Sequence, residues 1–108
     1  MTDKTLPSLQ AQAAEFIRTH GLEAEPAARL LDLLSELGEA AKEVLKASDY
    51  GKAGFSPSPA WEDELGDVFF SLVCLANSSG VDLESALQKA LAKYAARLDD
   101  KGDAGSGR

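Results

Sequence analysis

An all-α protein is predicted by three features of the 108-residue sequence. Apolar residues recur at three- and four-residue spacing, alternating runs rich in Val, Ile and Thr are missing, and aromatics make up only 6%. The length supports one modest core, hence a single domain placed at residues 1–98. Residues 99–108, "DDKGDAGSGR", carry no apolar residue larger than alanine and are expected to form a flexible tail.

Four helices are expected in order. Leu9, Ala13, Phe16, Ile17 and His20 share one face of the first, which starts near Pro7 or Ser8 and stops at Gly21. Pro26 suits the first turn of the second, whose stripe of Leu30, Leu34, Leu37, Ala41 and Val44 runs to about Lys46. "ASDYGKAGFSPSP" has the composition of a loop, and its length leaves it room to move. Ser58 and Pro59 form a cap and first-turn pair for the third helix, with Trp61, Leu65, Val68, Leu72 and Leu75 as its stripe as far as Gly80. From Val68 to Ala76 that helix is apolar nearly all round, more than one small chain covers, so part of it is expected to face another subunit. Asp82 caps the fourth helix, with the stripe Leu83, Leu87, Ala90, Leu91, Tyr94 and Leu98. The expected architecture is a four-helix bundle completed by oligomerisation, a dimer or tetramer.

Charge narrows the partners. Eleven Lys and Arg against 18 Asp and Glu give a net charge of −7, which repels a nucleic-acid backbone and attracts cations. The lone Cys74 rules out an internal disulfide and a thiolate zinc cluster, and fits a reducing compartment. The first residues lack a signal-peptide pattern and no apolar run approaches membrane-spanning length, so a cytoplasmic protein without a membrane partner is expected.

Two phrases stand out: "SELGEA" and "EDELGD". Residues three apart share a helix face, so Glu36 projects with Glu39 and Glu64 with Asp67. In the second helix, Asp32, Glu36, Glu39 and Glu43 stack negative charge along one side, at a cost of a few tenths of a kcal/mol (~0.2–0.5) per like-charged pair. One such pair alone is an ordinary solvated face. Two pairs flanking apolar stripes, each beside a glycine, Gly38 and Gly66, suggest helices in close contact with four carboxylates converging. A mid-helix glycine costs about 1 kcal/mol relative to alanine, which close approach would offset. The donors are all hard oxygens and suit Mg²⁺ or Mn²⁺. A ferritin-like di-iron site needs Glu-x-x-His on two helices, and the single His20 stands in no such motif.

The stretches "LLSELGEAAKEVLK" and "WEDELGDVFFSLVCLANSSGVDLESALQKALAKYAARL" resemble the MazG-type nucleoside triphosphate pyrophosphohydrolases of the all-α NTP pyrophosphatase superfamily, over roughly residues 30 to 98. The family pattern is EExxE, a spacer, then ExxD. The resemblance implies that Glu36, Glu39, Glu64 and Asp67 are the catalytic Mg²⁺ ligands. It also implies that Lys93 and Arg97, with Lys89 a turn earlier, meet phosphate oxygens, and that subunits associate. Their plainer role is a solvated basic face. Ser35 departs from the first Glu of EExxE, and Cys74 stands where relatives often have asparagine; Asn77 is a substitute contact or simply a helix-end residue.

The implied reaction hydrolyses an NTP or dNTP to the monophosphate and pyrophosphate, for pool sanitation. A water activated by bound metal attacks the α-phosphorus, and Glu43, or a ligand glutamate, orients or deprotonates that water. For the base, aromatic candidates are Phe16, His20, Tyr50, Phe55 and Trp61, with Trp61 favoured beside Glu62 and Glu64; Tyr50, Lys52 and Phe55 would close over substrate from the loop. Alternatives are a narrower dUTP, dCTP or phosphoribosyl-ATP hydrolase, or a non-catalytic helical module that binds a protein through the third helix.

Overall fold

The computed structural model describes residues 4–101, which form four helices: α1 (Leu6–Thr19), α2 (Pro26–Ala47), α3 (Pro59–Ser78) and α4 (Leu83–Lys101). No strand occurs among the described residues. The boundaries follow local chemistry. Thr5 caps α1 with a reciprocal box: Thr5 Oγ1 accepts from the Ser8 amide at 3.2 Å, and Ser8 Oγ accepts from the Thr5 amide at 2.8 Å. Gly21 and Gly80, at φ +64° and +70°, turn the chain out of α1 and α3 in the left-handed region that glycine enters without penalty. Pro26 and Pro59 occupy first turns, where a missing N–H costs nothing. Asp82 Oδ2 accepts from the Ser85 amide at 3.1 Å at the start of α4. α4 continues through residues 99–101, three past the expected domain boundary. The rest of the expected tail, 102–108, lies outside the described residues.

α2 and α3 make the main hairpin; α1 lies on α3, and α4 packs chiefly on α1. A buried amide pair ties three of these elements together. Gln10 Nε2 donates to Asn77 Oδ1 and to the Val81 carbonyl, both at 3.0 Å. Gln10 Oε1 accepts from the Leu83 amide at 2.7 Å, and Asn77 Nδ2 donates to the Gln10 carbonyl at 3.0 Å. Gln10 thus satisfies an otherwise open N–H of α4 while fixing α1 against the end of α3.

The packing corrects two expectations. The face of α2 turned inward is Leu33, Glu36, Ala40, Glu43, Val44 and Ala47, and the leucines of the expected stripe point outward: Leu30, Leu34 and Leu37 are 49, 57 and 47% exposed. Glu36 and Glu43 therefore lie on the side of α2 that meets α3, and the leucine stripe is left for another surface. The second correction concerns the glycines. A Cβ built on Gly38 or Gly66 meets nothing within 4 Å, so neither is needed for close approach of α2 and α3 within one chain. Fully packed apolar side chains are few: Ala40, Val73, Cys74 and Ala76. The radius of gyration is 16.9 Å, against about 13 Å for a compact chain of this length.

Candidate active site

The site is built on the α2–α3 hairpin. Glu36 on α2 and Glu64 on α3 are half-buried, while Glu39 and Asp67 beside them are exposed. Glu64 reports the convergence: partial burial first, then the charges of Asp67, Glu39, Glu36 and Glu43, raise its carboxyl above the ordinary value. The other three expected ligands and Glu43 therefore all lie near enough to Glu64 to act on its charge. Among the described residues, however, no three His, Cys, Asp or Glu side chains are gathered tightly enough to hold an ion as they stand. Mutual repulsion between uncompensated anions opposes any closer approach. The donor set itself, oxygen only, fits a hard divalent cation.

Glu43 is held in place. Ser58, at the N-cap position of α3, leaves its own helix without a side-chain cap, and its hydroxyl donates to Glu43 Oε2 at 3.2 Å instead. Trp61 is half-buried at the same corner, with the Phe55 ring edge-on at 5.2 Å. Early in the loop between α2 and α3, Asp49, Tyr50 and Gly51 stand at φ 49°, 56° and 87°. Ser48 organises that turn, its carbonyl accepting from the amides of Gly51 at 3.0 Å and Ala53 at 2.9 Å. Tyr50 and Lys52 are exposed on it.

The remaining candidates lie elsewhere. Asn77 is engaged at both ends of its amide in the Gln10 pair. Phe16 packs against His20 at 4.6 Å and edge-on to Phe70 at 6.3 Å. Lys89 is exposed on α4. Lys93 and Arg97 flank the Tyr94 ring at 5.0 and 5.4 Å. They stand on a helix packed chiefly on α1, and neither is among the charges acting on Glu64. The Arg97 Nη1 atom is buried without a hydrogen-bond partner.

A cavity of about 320 Å³ adjoins the acidic cluster, lined by Arg29, Asp32, Ser35, Glu36, Asp67, Phe70, Ser71 and Cys74. Sequence reasoning passed over Arg29 and Ser71. The signal was in the spacing: Arg29 is seven residues before Glu36, and Ser71 is four after Asp67, so each shares a helix face with a motif carboxylate.

A helical hairpin that brings carboxylates of both arms around one partly buried glutamate defines an all-α scaffold with an acidic, oxygen-donor site. The particular family follows from sequence: the MazG nucleotide pyrophosphohydrolase domain matches residues 24–101, and the chain belongs to that family. The crystal structure of the Bacillus-conserved MazG protein, a nucleotide pyrophosphohydrolase, aligns with TM-score 0.73 and 34% identity over 87% of this chain and 93% of that one. YpjD from Bacillus subtilis aligns with TM-score 0.72 and 38% identity over 87% of this chain and 98% of that one. In a sequence comparison with Bacillus subtilis YpjD, the chain is 37% identical over 106 residues, 94% of this chain and 93% of the relative. The protein is thus a hydrolase acting on nucleotide pyrophosphate bonds. No helix of the described residues is long and apolar enough to cross a membrane.

Proposed function

We propose that the chain hydrolyses a nucleoside or deoxynucleoside triphosphate to the monophosphate and pyrophosphate with Mg²⁺, or Mn²⁺, as cofactor. The observation that carries this is the coupling of Glu64 to Asp67, Glu39 and Glu36 across two helices. A polyanionic substrate is repelled by such a cluster unless a divalent cation lies between them. Glu36, Glu39, Glu64 and Asp67 are the residues that would hold it. When bound, a divalent cation supplies Lewis acidity toward phosphoryl oxygens and lowers the pKa of water. Glu43, oriented by Ser58, accepts the proton of the attacking water. The α-phosphorus is the electrophile and pyrophosphate the leaving group.

Lys93 and Arg97 act on the phosphates across a subunit contact. Their place on α4 and the unpartnered Arg97 Nη1 support that route. Trp61, beside the cluster, lies against the nucleotide. The outward leucines of α2 and α4 support a homo-oligomer, and the buried free thiol of Cys74 suits a reducing cytoplasm.

The test is pyrophosphate release from a panel of NTPs and dNTPs with Mg²⁺, alongside thermal denaturation. The wild type turns over substrate and gains thermal stability with the metal; Glu39→Gln loses both, with kcat falling by about 10² or more. A helical interaction module without chemistry shows neither effect, and that result sinks the proposal.

A further inference from the structure

The guanidinium of Arg29 is in an unusual position for a chain of net charge −7. Its side chain is only 12% exposed, and its sole ion-pair partner among the described residues, Asp32, is 62% exposed and 3.9 Å away, beyond hydrogen-bond reach. One nitrogen, Nη2, donates to the Leu22 carbonyl and anchors the group. A largely buried charge without a close counter-charge is costly unless a polar ligand completes its hydrogen bonds. Arg29 also lies on the wall of the cavity that holds Glu36 and Asp67.

The cavity has two ends. From Glu36 back to Arg29 is seven residues of α2, about 10 Å along the axis. α3 matches this stripe, with Asp67 at the acidic end, then Phe70 and Ser71, and Cys74 beside Arg29. The span is comparable to that from an α-phosphate to the far edge of a base, and a volume of about 320 Å³ accommodates a nucleoside. With phosphates at Glu36 and Asp67, the base edge falls at Arg29 and Asp32, and Phe70 offers an aromatic face for stacking.

We propose that Arg29 and Asp32 are the base-reading pair of this enzyme, Arg29 donating to a ring nitrogen or carbonyl oxygen and Asp32 accepting from an adjacent N–H or amino group. This rests on the proposed function for the position of the phosphates. The pair presents a charged donor beside a charged acceptor, which complements the Watson–Crick edge of an intact base. A site built of such groups discriminates strongly because a mismatched edge leaves one of them unpaired.

The test uses the full chain with Mg²⁺ and the four dNTPs. Asp32 is exposed, so Asp32→Asn should fold normally, checked by its melting curve. Neutralising the carboxylate and replacing one acceptor oxygen with an NH2 donor should raise KM for the preferred nucleotide about tenfold, with the loss falling on KM rather than kcat, and should reorder the four substrates. Arg29→Gln should act in the same direction. The Mg²⁺-induced thermal shift should match the wild type in both, since neither residue is a proposed ligand. If the four nucleotides fall in step, or keep their order with unchanged KM ratios, the pair does not read the base. If the wild type releases pyrophosphate from none of them and from none of the four NTPs, the proposed function fails while the cavity is still tested. Calorimetric titration of the four deoxynucleoside 5′-monophosphates must then show binding whose order Asp32→Asn changes; no binding, or the same order in both proteins, overturns the inference.

Discussion

Glu64 shows how one side chain records an entire site. Partial burial and then Asp67, Glu39, Glu36 and Glu43 raise its pKa above its ordinary 4.5. A raised acid holds its proton more tightly in the folded than the unfolded chain, so stability declines as pH rises from the ordinary value through the raised one. In metal-free protein, melting midpoints should therefore fall over that window, and Glu64→Gln should flatten the dependence and raise the midpoint at neutral pH. Saturating Mg²⁺ should reverse the wild-type penalty; a slope unaffected by the substitution would place the repulsion elsewhere. Cys74 differs in kind. It is 3% exposed, and burial pushes its thiol up, against the opposing pull of Arg29 and with a further push from Asp32. Alkylation by iodoacetamide at neutral pH should be slow in native protein and fast after denaturation.

At the scale of helices, the sequence made their number and order legible because periodicity, prolines at first turns and glycines at exits are local signals. Which face turned inward was not legible. Periodicity cannot tell a stripe that meets a neighbouring helix of the same chain from one that does not, and here Glu36 and Glu43 turn toward α3 while Leu30, Leu34 and Leu37 point out. The Gln10 latch was hidden for a related reason: its partners, Asn77, Val81 and Leu83, lie some seventy residues away. Ser58 stands at the N-cap position that its place before Pro59 predicts, yet its hydroxyl serves Glu43 across the loop. Two stability changes follow. Gln10→Ala should cost about 2 kcal/mol, since it strands buried groups of three elements, measured by urea unfolding. Gly38→Ala should add about 1 kcal/mol, as its Cβ enters open space within a helix. A loss instead would mean that another subunit approaches α2 at that glycine.

The molecule is open for a chain of its length. Its radius of gyration of 16.9 Å exceeds the ~13 Å of a compact chain, and Leu31, Leu34, Leu87 and Leu91 are each more than half exposed. A second copy covering these stripes would close the core and could bring its α4, which packs chiefly on α1 within its own chain, to the acidic hairpin. Sedimentation should therefore give a dimer or larger, with a melting midpoint that rises with protein concentration, and Leu34→Asp should shift it toward monomer. A wild-type monomer at micromolar concentration would reject this assembly. The sharper measurement asks whether subunits share a site. Glu39→Gln lacks a carboxylate, and Arg97→Ala lacks a basic group on α4, so each homo-oligomer should be nearly inactive. If α4 of one subunit serves the carboxylates of the other, mixed oligomers contain some sites with both groups intact, and activity should return to about a quarter of wild type or less, set by random pairing. Mixtures that remain as inactive as their parents would place Arg97 outside the partner's site.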